Sequence, residues 1–432
     1  MTKKASYITL GCKLNYAETS TYERGFMKEG YESVPWTEQA DLYVINTCSV
    51  TEHADSKSRN IIRKIHRKAP DATVVVTGCY AQLKRTEVEA LDGVSLVFGA
   101  DGKSSLVKTT MEFIEGRGNA RAADAGDDVD TTFAAYSSGE ERTRSFLKVQ
   151  DGCDNFCAYC TVPFARGRSR SISIATAVEE ARKIAASGVK EIVLTGVNTG
   201  DFGRKSGESF LNLLKELDGV EGIERYRISS IEPNLLTDEI VDWIASGTKF
   251  QPHFHIPLQS GSDTILKDVG RKYTTEFFAS KIDYIREKMN PKPGEVNADG
   301  TRRPDVFFGI DVIAGLPGET DELFMETYNF LKDRIRPAFI HIFPYSRRAG
   351  TRSAARKDQV QDCVKTKRVA MLEELCKSLH EEFIASQKGV KERVLFEESN
   401  HDGMMGGYTG NYIRVDRPWD PETAGTVREV IL

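Results

Sequence analysis

The stretch RSFLKVQDGCDNFCAYC, Arg144 to Cys160, decides how the chain is read. Its apolar run at 146–149 is strand-like, and Cys153, Cys157 and Cys160 follow it in a C-x3-C-x2-C spacing. With 8 cysteines in 432 residues, chance would produce such a triplet in roughly 0.3% of chains of this composition, so the spacing carries chemistry. Thiolates in short loops bind iron–sulfur clusters, and a four-iron cubane normally takes four of them. Three ligands leave one iron open to chelate a small molecule, with Tyr159 as an aromatic neighbour. A tetrahedral zinc site is the alternative, but it would normally be completed by a fourth Cys or His, and none follows within about thirty residues.

Outward from this loop the pattern alternates. Strand-like runs fall at 146–149, 192–194, 226–229, 253–257, 306–313 and 339–343, and helix-like runs at 175–187, 210–217, 238–245, 276–288 and 319–332. Six β/α units in about 200 residues fall short of the ~250 of an eight-unit barrel. The spacing predicts a partial (β/α)6 barrel with the cysteine loop at its carboxyl-terminal face, where active sites form. Other polar residues fall near strand ends on that face: Gly196 and Asn198 in LTGVNTGDFG, Ser229 and Glu232 in RISSIEP, Gln259 in HFHIPLQSGSD, and Asp311 before the turn GLPGET. Together they suit a nucleoside and an amino-acid moiety; singly, each suits a structural role equally well. His253 and His255 share one face of a strand and, in their apolar setting, are read as packed.

Upstream, Cys12, Cys48 and Cys79 follow strand-like runs at 7–10, 42–45 and 74–76, with helix-like stretches at 16–29 and 55–68 between them. This βαβαβ order predicts a Rossmann-like parallel sheet whose carboxyl-end loops gather at one edge. Three cysteines at equivalent strand ends then meet, and again suit a cluster with one open iron. A buried core role would explain one of them well and three in register poorly. A fourth strand at 95–98 and a helix at 104–115 complete this module. Cys363 and Cys376, in a long helical pattern at 359–387, are expected to be small core residues. Residues 389–432 are Gly- and β-rich and predict a small all-β, OB-like unit. The expected boundaries are 1–116, a polar linker 117–144, the barrel 145–357, a helical connection 358–388 and the β unit 389–432.

Lys plus Arg number 59 against 64 Asp plus Glu, a net charge of −5, and no apolar run approaches the length of a membrane span. A nucleic-acid partner must therefore meet local basic patches. Candidates are Arg59, Arg63 and Arg67; Arg166, Arg168 and Arg170; and Arg347, Arg348, Arg352 and Arg356. With Tyr408 and Tyr412 as aromatic faces, these point to RNA. The apolar stretch before Cys12 is at the short limit for a signal peptide, so a cytoplasmic location is expected, where spaced cysteines mean metal or catalysis.

The motifs TLGCKLNYAET, INTCSVT, VTGCYAQ, QDGCDNFCAYCTVPFARGRSRS, LTGVNTGDFG and HIPLQSGSD together resemble the methylthiotransferases of the radical S-adenosylmethionine (SAM) superfamily over essentially the whole length. The resemblance implies an N-terminal three-cysteine domain, a radical SAM barrel and a C-terminal TRAM domain that binds RNA. It implies two 4Fe–4S clusters. Cys153, Cys157 and Cys160 would hold the one that cleaves SAM to a 5′-deoxyadenosyl radical. Cys12, Cys48 and Cys79 would hold an auxiliary cluster that carries sulfur, is methylated by one SAM, and delivers methylthio to a substrate radical made by a second. TLGCK-x-N, GVNTGDFG and GYTGNYIRV are most similar to the branch that modifies carbon 2 of N6-threonylcarbamoyladenosine next to the tRNA anticodon. Isopentenyladenosine in tRNA and a ribosomal-protein aspartate, the targets of relatives, stay open, as does a non-catalytic iron–sulfur redox sensor that binds RNA. An electron donor such as flavodoxin or ferredoxin, and a monomer, are expected.

Overall fold

The computed structural model describes residues 3–117, 134–137, 143–296, 300 and 303–432, so most of the expected linker at 117–144 lies outside the described residues. The N-terminal module runs β1 (Lys3–Thr9), α1 (Lys13–Lys28), β2 (Tyr31–Ser33), β3 (Leu42–Thr47), α2 (Glu52–Lys68), β4 (Thr73–Gly78), α3 (Cys79–Leu83), α4 (Arg85–Glu89), β5 (Leu96–Val97) and α5 (Leu106–Ile114). Its strands are parallel in the order β2-β1-β3-β4-β5. The winding reverses between β1 and β3, and the crevice outside the carboxyl ends at such a switch point is where open α/β sheets bind ligands. Cys12 and Cys48 flank that point, and Cys79 opens α3 directly after β4. The run LYVINT of β3 is buried throughout, as a central strand covered on both faces must be.

The next module contains β6 (Ala135–Tyr136), β7 (Arg144–Lys148), β8 (Gln150–Asp151), α6 (Val162–Arg166), β9 (Arg170–Ser171), α7 (Ile174–Ala186), β10 (Glu191–Thr195), α8 (Phe210–Asp218), β11 (Arg225–Ile228), α9 (Asp238–Ala245), β12 (His253–Gln259), α10 (Asp263–Asp268), α11 (Thr275–Met289), β13 (Phe307–Ala314), α12 (Asp321–Asn329), β14 (Phe339–Pro344), α13 (Arg352–Ala355) and α14 (Asp362–Ser386). Two parallel arcs, β7-β10-β11 and β12-β13-β14, meet where Tyr226 bridges Phe250 and the Ile231 N–H donates to the His255 carbonyl at 3.1 Å. Among the described residues no ladder joins β14 back to β7, so the six-stranded barrel is open on that side. Strand alternation sends Leu147, Ile192, Leu194, Ile228, Ile256 and Ile310 outward into the main core beneath the helices. Their neighbours turn inward as Arg144, Lys148, Glu191, Arg227, His255 and Asp311, giving a lumen that is charged rather than filled. Helix α1 packs into the open side, with Tyr16 and Ala17 on Phe146 and Val193. The Arg24 guanidinium lies 3.8 Å from the Tyr136 ring centre in edge strand β6.

A final antiparallel sheet, ordered β17-β16-β15-β18, comprises β15 (Lys391–Phe396), β16 (Met404–Thr409), β17 (Arg414–Pro418) and β18 (Val427–Ile431). It closes the amino end of the barrel. Arg225 donates to the Tyr408 carbonyl at 2.9 Å, and Arg227 to those of Thr409 and Gly410, both at 2.7 Å. Tyr408 and Tyr412, expected to offer faces to RNA, turn toward the barrel instead. Arg144 lies over both rings, and Tyr412 sits 4.7 Å from the His253 ring. The reason is that buried guanidinium groups need carbonyl and aromatic partners. Cys376 is buried as expected and accepts the Ile340 N–H at 3.2 Å. Cys363 is exposed, because α14 reaches the core only from Arg368 onward.

Candidate active site

The C-x3-C-x2-C loop turns on Gly152, whose φ is +71° and where a Cβ would fall 2.0 Å from the Arg168 carbonyl oxygen. No other residue fits that turn. Backbone N–H groups of Asn155 and Val162 donate to the sulfurs of Cys153 and Cys160 at 3.5 and 3.4 Å, and Arg271 Nη1 donates to Cys157 Sγ at 3.4 Å. Burial pushes the Cys153 thiol up to about 11 and the Cys160 thiol up to about 12, and their cysteine neighbours push the same way. Grouped thiols that resist ionisation alone, yet face N–H and guanidinium donors, fit an iron–sulfur cluster, whose irons offset the charge and whose sulfurs accept such bonds.

Beside them lies a cavity of about 320 Å³, lined by the three cysteines, Tyr159, Asn198, Ser230, Glu232, Gln259, Arg271 and Asp311, and by Val50 and Thr51 of the N-terminal module. A bulge in β12 between Pro257 and Gln259 leaves Gln259 at a φ of +71°, a strained geometry that re-aims its side chain. Glu232 is fixed by Asn155 Nδ2 at 2.9 Å and Arg271 Nη2 at 3.0 Å. Of the residues expected here, Tyr159, Asn198, Glu232, Gln259 and Asp311 line the cavity, whereas Gly196 and Ser229 do not. A Cβ on Gly196 would fall 2.8 Å from Gln150 Oε1, which accepts the Asn198 N–H at 2.9 Å, so this glycine makes room for the residue that holds the loop. Ser229 is buried, and Ser230 takes the wall position. Arg271 was not anticipated, because it lies between α10 and α11 where no local pattern marks it.

The second cysteine group forms where the switch point predicts. Gly11, at a φ of +100°, would carry its Cβ 2.9 Å from Cys48 Sγ, so only glycine lets these loops approach. Burial, then the charge of Cys79, pushes the Cys48 thiol up to about 11. Burial raises Cys79 as well, opposed by the Arg166 guanidinium. Arg166 ends α6, just past Cys160, and reaches 3.9 Å from Cys12 Sγ, so one buried cation stands between the two cysteine groups. It is held by Asn15, by Asp151 at 2.9 Å and by Glu18 at 3.3 Å. Glu18 also receives Lys103 at 2.9 Å and Lys148 at 3.0 Å. Burial alone would raise the Glu18 pKa, but the three cations overcome it and hold the carboxyl well below the ordinary range.

Two expected RNA-facing arginines are therefore internal. Arg348 is the second, bound to Ser49 at 2.7 Å, Asp55 at 2.8 Å and Glu52 at 3.2 Å. Arg59 pairs with Glu87 at 3.0 Å, while Arg63, Arg67, Arg168, Arg347 and Arg352 stay exposed.

Deeper in the lumen, His255 Nε2 meets Asp311 Oδ1 at 2.5 Å, with the His341 ring 4.8 Å from His255. His253 packs as expected, 5.2 Å from the Phe307 ring, and burial keeps it neutral. His255 does not, since it faces the lumen. Burial, then His255, pushes His341 down to about 4.

The model of the Radical SAM superfamily matches residues 147–331, and that of Uncharacterized protein family UPF0004 matches residues 4–99. The chain is 39% identical over 422 residues to the threonylcarbamoyladenosine tRNA methylthiotransferase MtaB of Bacillus subtilis (strain 168), covering 95% of this chain and 89% of that one. It is 38% identical to the MtaB protein of Aquifex aeolicus (strain VF5), covering 99% and 100%. It is also 32% identical to a tRNA-2-methylthio-N(6)-dimethylallyladenosine synthase of Nitratidesulfovibrio vulgaris (strain DP4), covering 98% and 94%. In fold it is similar to the radical SAM methyltransferase TsrM of Kitasatospora setae, with a TM-score of 0.59 and 16% identity over 82% of this chain and 77% of that one.

An open six-stranded barrel with three spaced cysteines after its first strand defines a radical SAM enzyme, using SAM and 4Fe–4S chemistry. Within that class, the chain belongs to the methylthiotransferase family.

Proposed function

We propose that the protein adds a methylthio group to carbon 2 of N6-threonylcarbamoyladenosine next to the anticodon of tRNA. In this reading Cys153, Cys157 and Cys160 hold the SAM-cleaving cluster and Cys12, Cys48 and Cys79 the auxiliary one. The observation that carries it is the junction of the two groups: Arg166 touches the second and follows the first in sequence, and both modules build the wall of the cavity beside the first. A heteroaromatic C–H has no useful acidity, so bound SAM and the clusters supply the radical chemistry that side chains lack. The side chains bind and orient. Glu232, Asn198 and Gln259 offer acceptors and an amide to a nucleoside and amino acid, Arg271 anchors Glu232 and Cys157, and Tyr159 and Val50 limit water. The threonylcarbamoyl specificity follows the MtaB relatives at 38–39% identity.

The modules act as units at 1–116, 145–357 and 389–432, joined by 117–144 and 358–388. A monomer in the cytoplasm, reduced by a flavodoxin or ferredoxin, completes the reading; among the described residues no helix is long and apolar enough to cross a membrane. The test is nucleoside mass spectrometry after anaerobic incubation of reconstituted protein, reductant and SAM with tRNA bearing either modified adenosine. Methylthio product from threonylcarbamoyladenosine alone is expected. Product from isopentenyladenosine alone would overturn the substrate, and SAM cleavage without either product would overturn both tRNA readings.

A further inference from the structure

Among the described residues, the inward-facing cations of the barrel strands are satisfied from within the protein. Arg227 is held by Glu191 at 2.8 Å and by two carbonyls, Arg225 by a carbonyl and by Glu191 at 3.7 Å, Arg144 by Glu397 at 3.3 Å, and Lys148 by Glu18 at 3.0 Å. Lys13 is different. It shares a face of α1 with Tyr16 and Ala17, at i+3 and i+4, and that face packs on Phe146 and Val193 at the barrel's open side. Its side chain therefore enters the lumen, where its charge is felt by Tyr412, Arg144, Arg227, Asp311 and His341. Among the described residues the ammonium has no hydrogen-bond or ion-pair partner, and the nearby Asp311 carboxylate is engaged by His255 at 2.5 Å. The residue is exposed, so a ligand can reach it. The residue before it is Cys12, which puts this cation beside the N-terminal cysteine group.

With Arg144 and Arg227 nearby and no anion bound to it, the ammonium leaves a place that a ligand's anion would fill. We propose that Lys13 is the specificity residue that receives the carboxylate of the substrate's threonylcarbamoyl group. The assignment rests on the substrate reading above. An isopentenyl group is uncharged and apolar, and would strip water from the ammonium without replacing it. The threonylcarbamoyl group ends in a carboxylate and can form a charge-assisted hydrogen bond with the ammonium. RNA phosphates are the other anion at hand, but they belong to the backbone outside the lumen.

The experiment uses reconstituted holoenzyme and an anticodon stem-loop RNA carrying either N6-threonylcarbamoyladenosine or its neutral threoninamide analogue. For the wild type, KM is expected to be roughly 10- to 100-fold higher on the amide, the loss of one charged hydrogen bond. Lys13→Gln should raise KM on the carboxylate RNA by a similar factor and close the gap between the two RNAs, while Lys13→Arg should keep part of the preference. Iron content, unchanged in both variants, would show that the cysteine groups next to the substitution are intact. A wild type that does not distinguish the two RNAs, or a Lys13→Gln variant that keeps the full preference, overturns the assignment while leaving the substrate in place. A wild type that modifies only isopentenyladenosine RNA overturns both together.

Discussion

Glu18 receives Lys103, Lys148 and Arg166 within 3.3 Å while fully buried, with Asp151 as the second anion of the group. Replacing it by Gln keeps the shape and leaves Asp151 as the one anion against three cations in a place water does not reach. Removing one member of such a group costs about 3–5 kcal/mol, so Glu18→Gln should lower unfolding stability by that order in a urea melt at pH 7. The pH dependence has a definite sign. The folded pKa lies far below the 4.5 of an ordinary Glu, so the contribution is fully present above that value and is lost progressively as pH falls below it. The wild type and the variant should therefore converge on acidification well below pH 4.5, and a gap unchanged between pH 7 and about pH 3 would show that Glu18 is not the ionised centre. This residue was not legible in the sequence. Cys153, Cys157 and Cys160 declare themselves by spacing, but Glu18, Lys103, Lys148 and Arg271 acquire meaning only through partners 39 to 148 positions away in the chain, which no local pattern encodes. The same limit explains Arg166 and Arg348, which in sequence look like any exposed basic cluster.

At the scale of elements, the three strand ends after β1, β3 and β4 make one site because a parallel sheet brings its carboxyl edges together. That placement makes a stoichiometric prediction. The reconstituted protein should bind about eight irons, and the triple variant Cys12→Ala, Cys48→Ala, Cys79→Ala about four, with the remaining cluster still cleaving SAM. Loss of all iron in the variant would mean the two cysteine groups are not independent sites. Long elements were legible because alternation and 3.6-residue periodicity need several repeats to show, and all six barrel strands and their principal helices have enough. Strand β2, of three residues, and helices α3, α4 and α6, of five each, are too short to carry a period and went unread. The segment 135–136 read as linker, yet Ala135 and Tyr136 pair with Lys148 and Leu147 as an edge strand. The β12 bulge that aims Gln259 was equally invisible, since it depends on pairing with β13.

For the whole molecule, the reaction proposed needs two cysteine groups on separate modules to face one cavity, so the seam between the modules becomes part of the machinery. One side of the seam is the Glu18 group. The other is Asp55, buried at the start of α2, which binds Arg348 of the barrel module at 2.8 Å, Lys84 at 3.1 Å and Ser49 at 2.6 Å. Asp55 does not line the cavity, but its partner Arg348 does, so weakening it tests how the seam holds that wall. Asp55→Asn removes the charge that ties Arg348 across the seam. It should leave SAM cleavage within about twofold of wild type, because the barrel keeps its own cysteines and the Glu232–Arg271 wall beside them, while methylthio product falls about tenfold or more, since misplacement by an ångström costs up to about a hundredfold in rate. The ratio of 5′-deoxyadenosine to methylthiolated nucleoside is the readout. A proportional fall in both would mean that the Asp55–Arg348 link supports folding alone, and that alignment of the two cysteine groups is secured entirely by the charged group around Glu18.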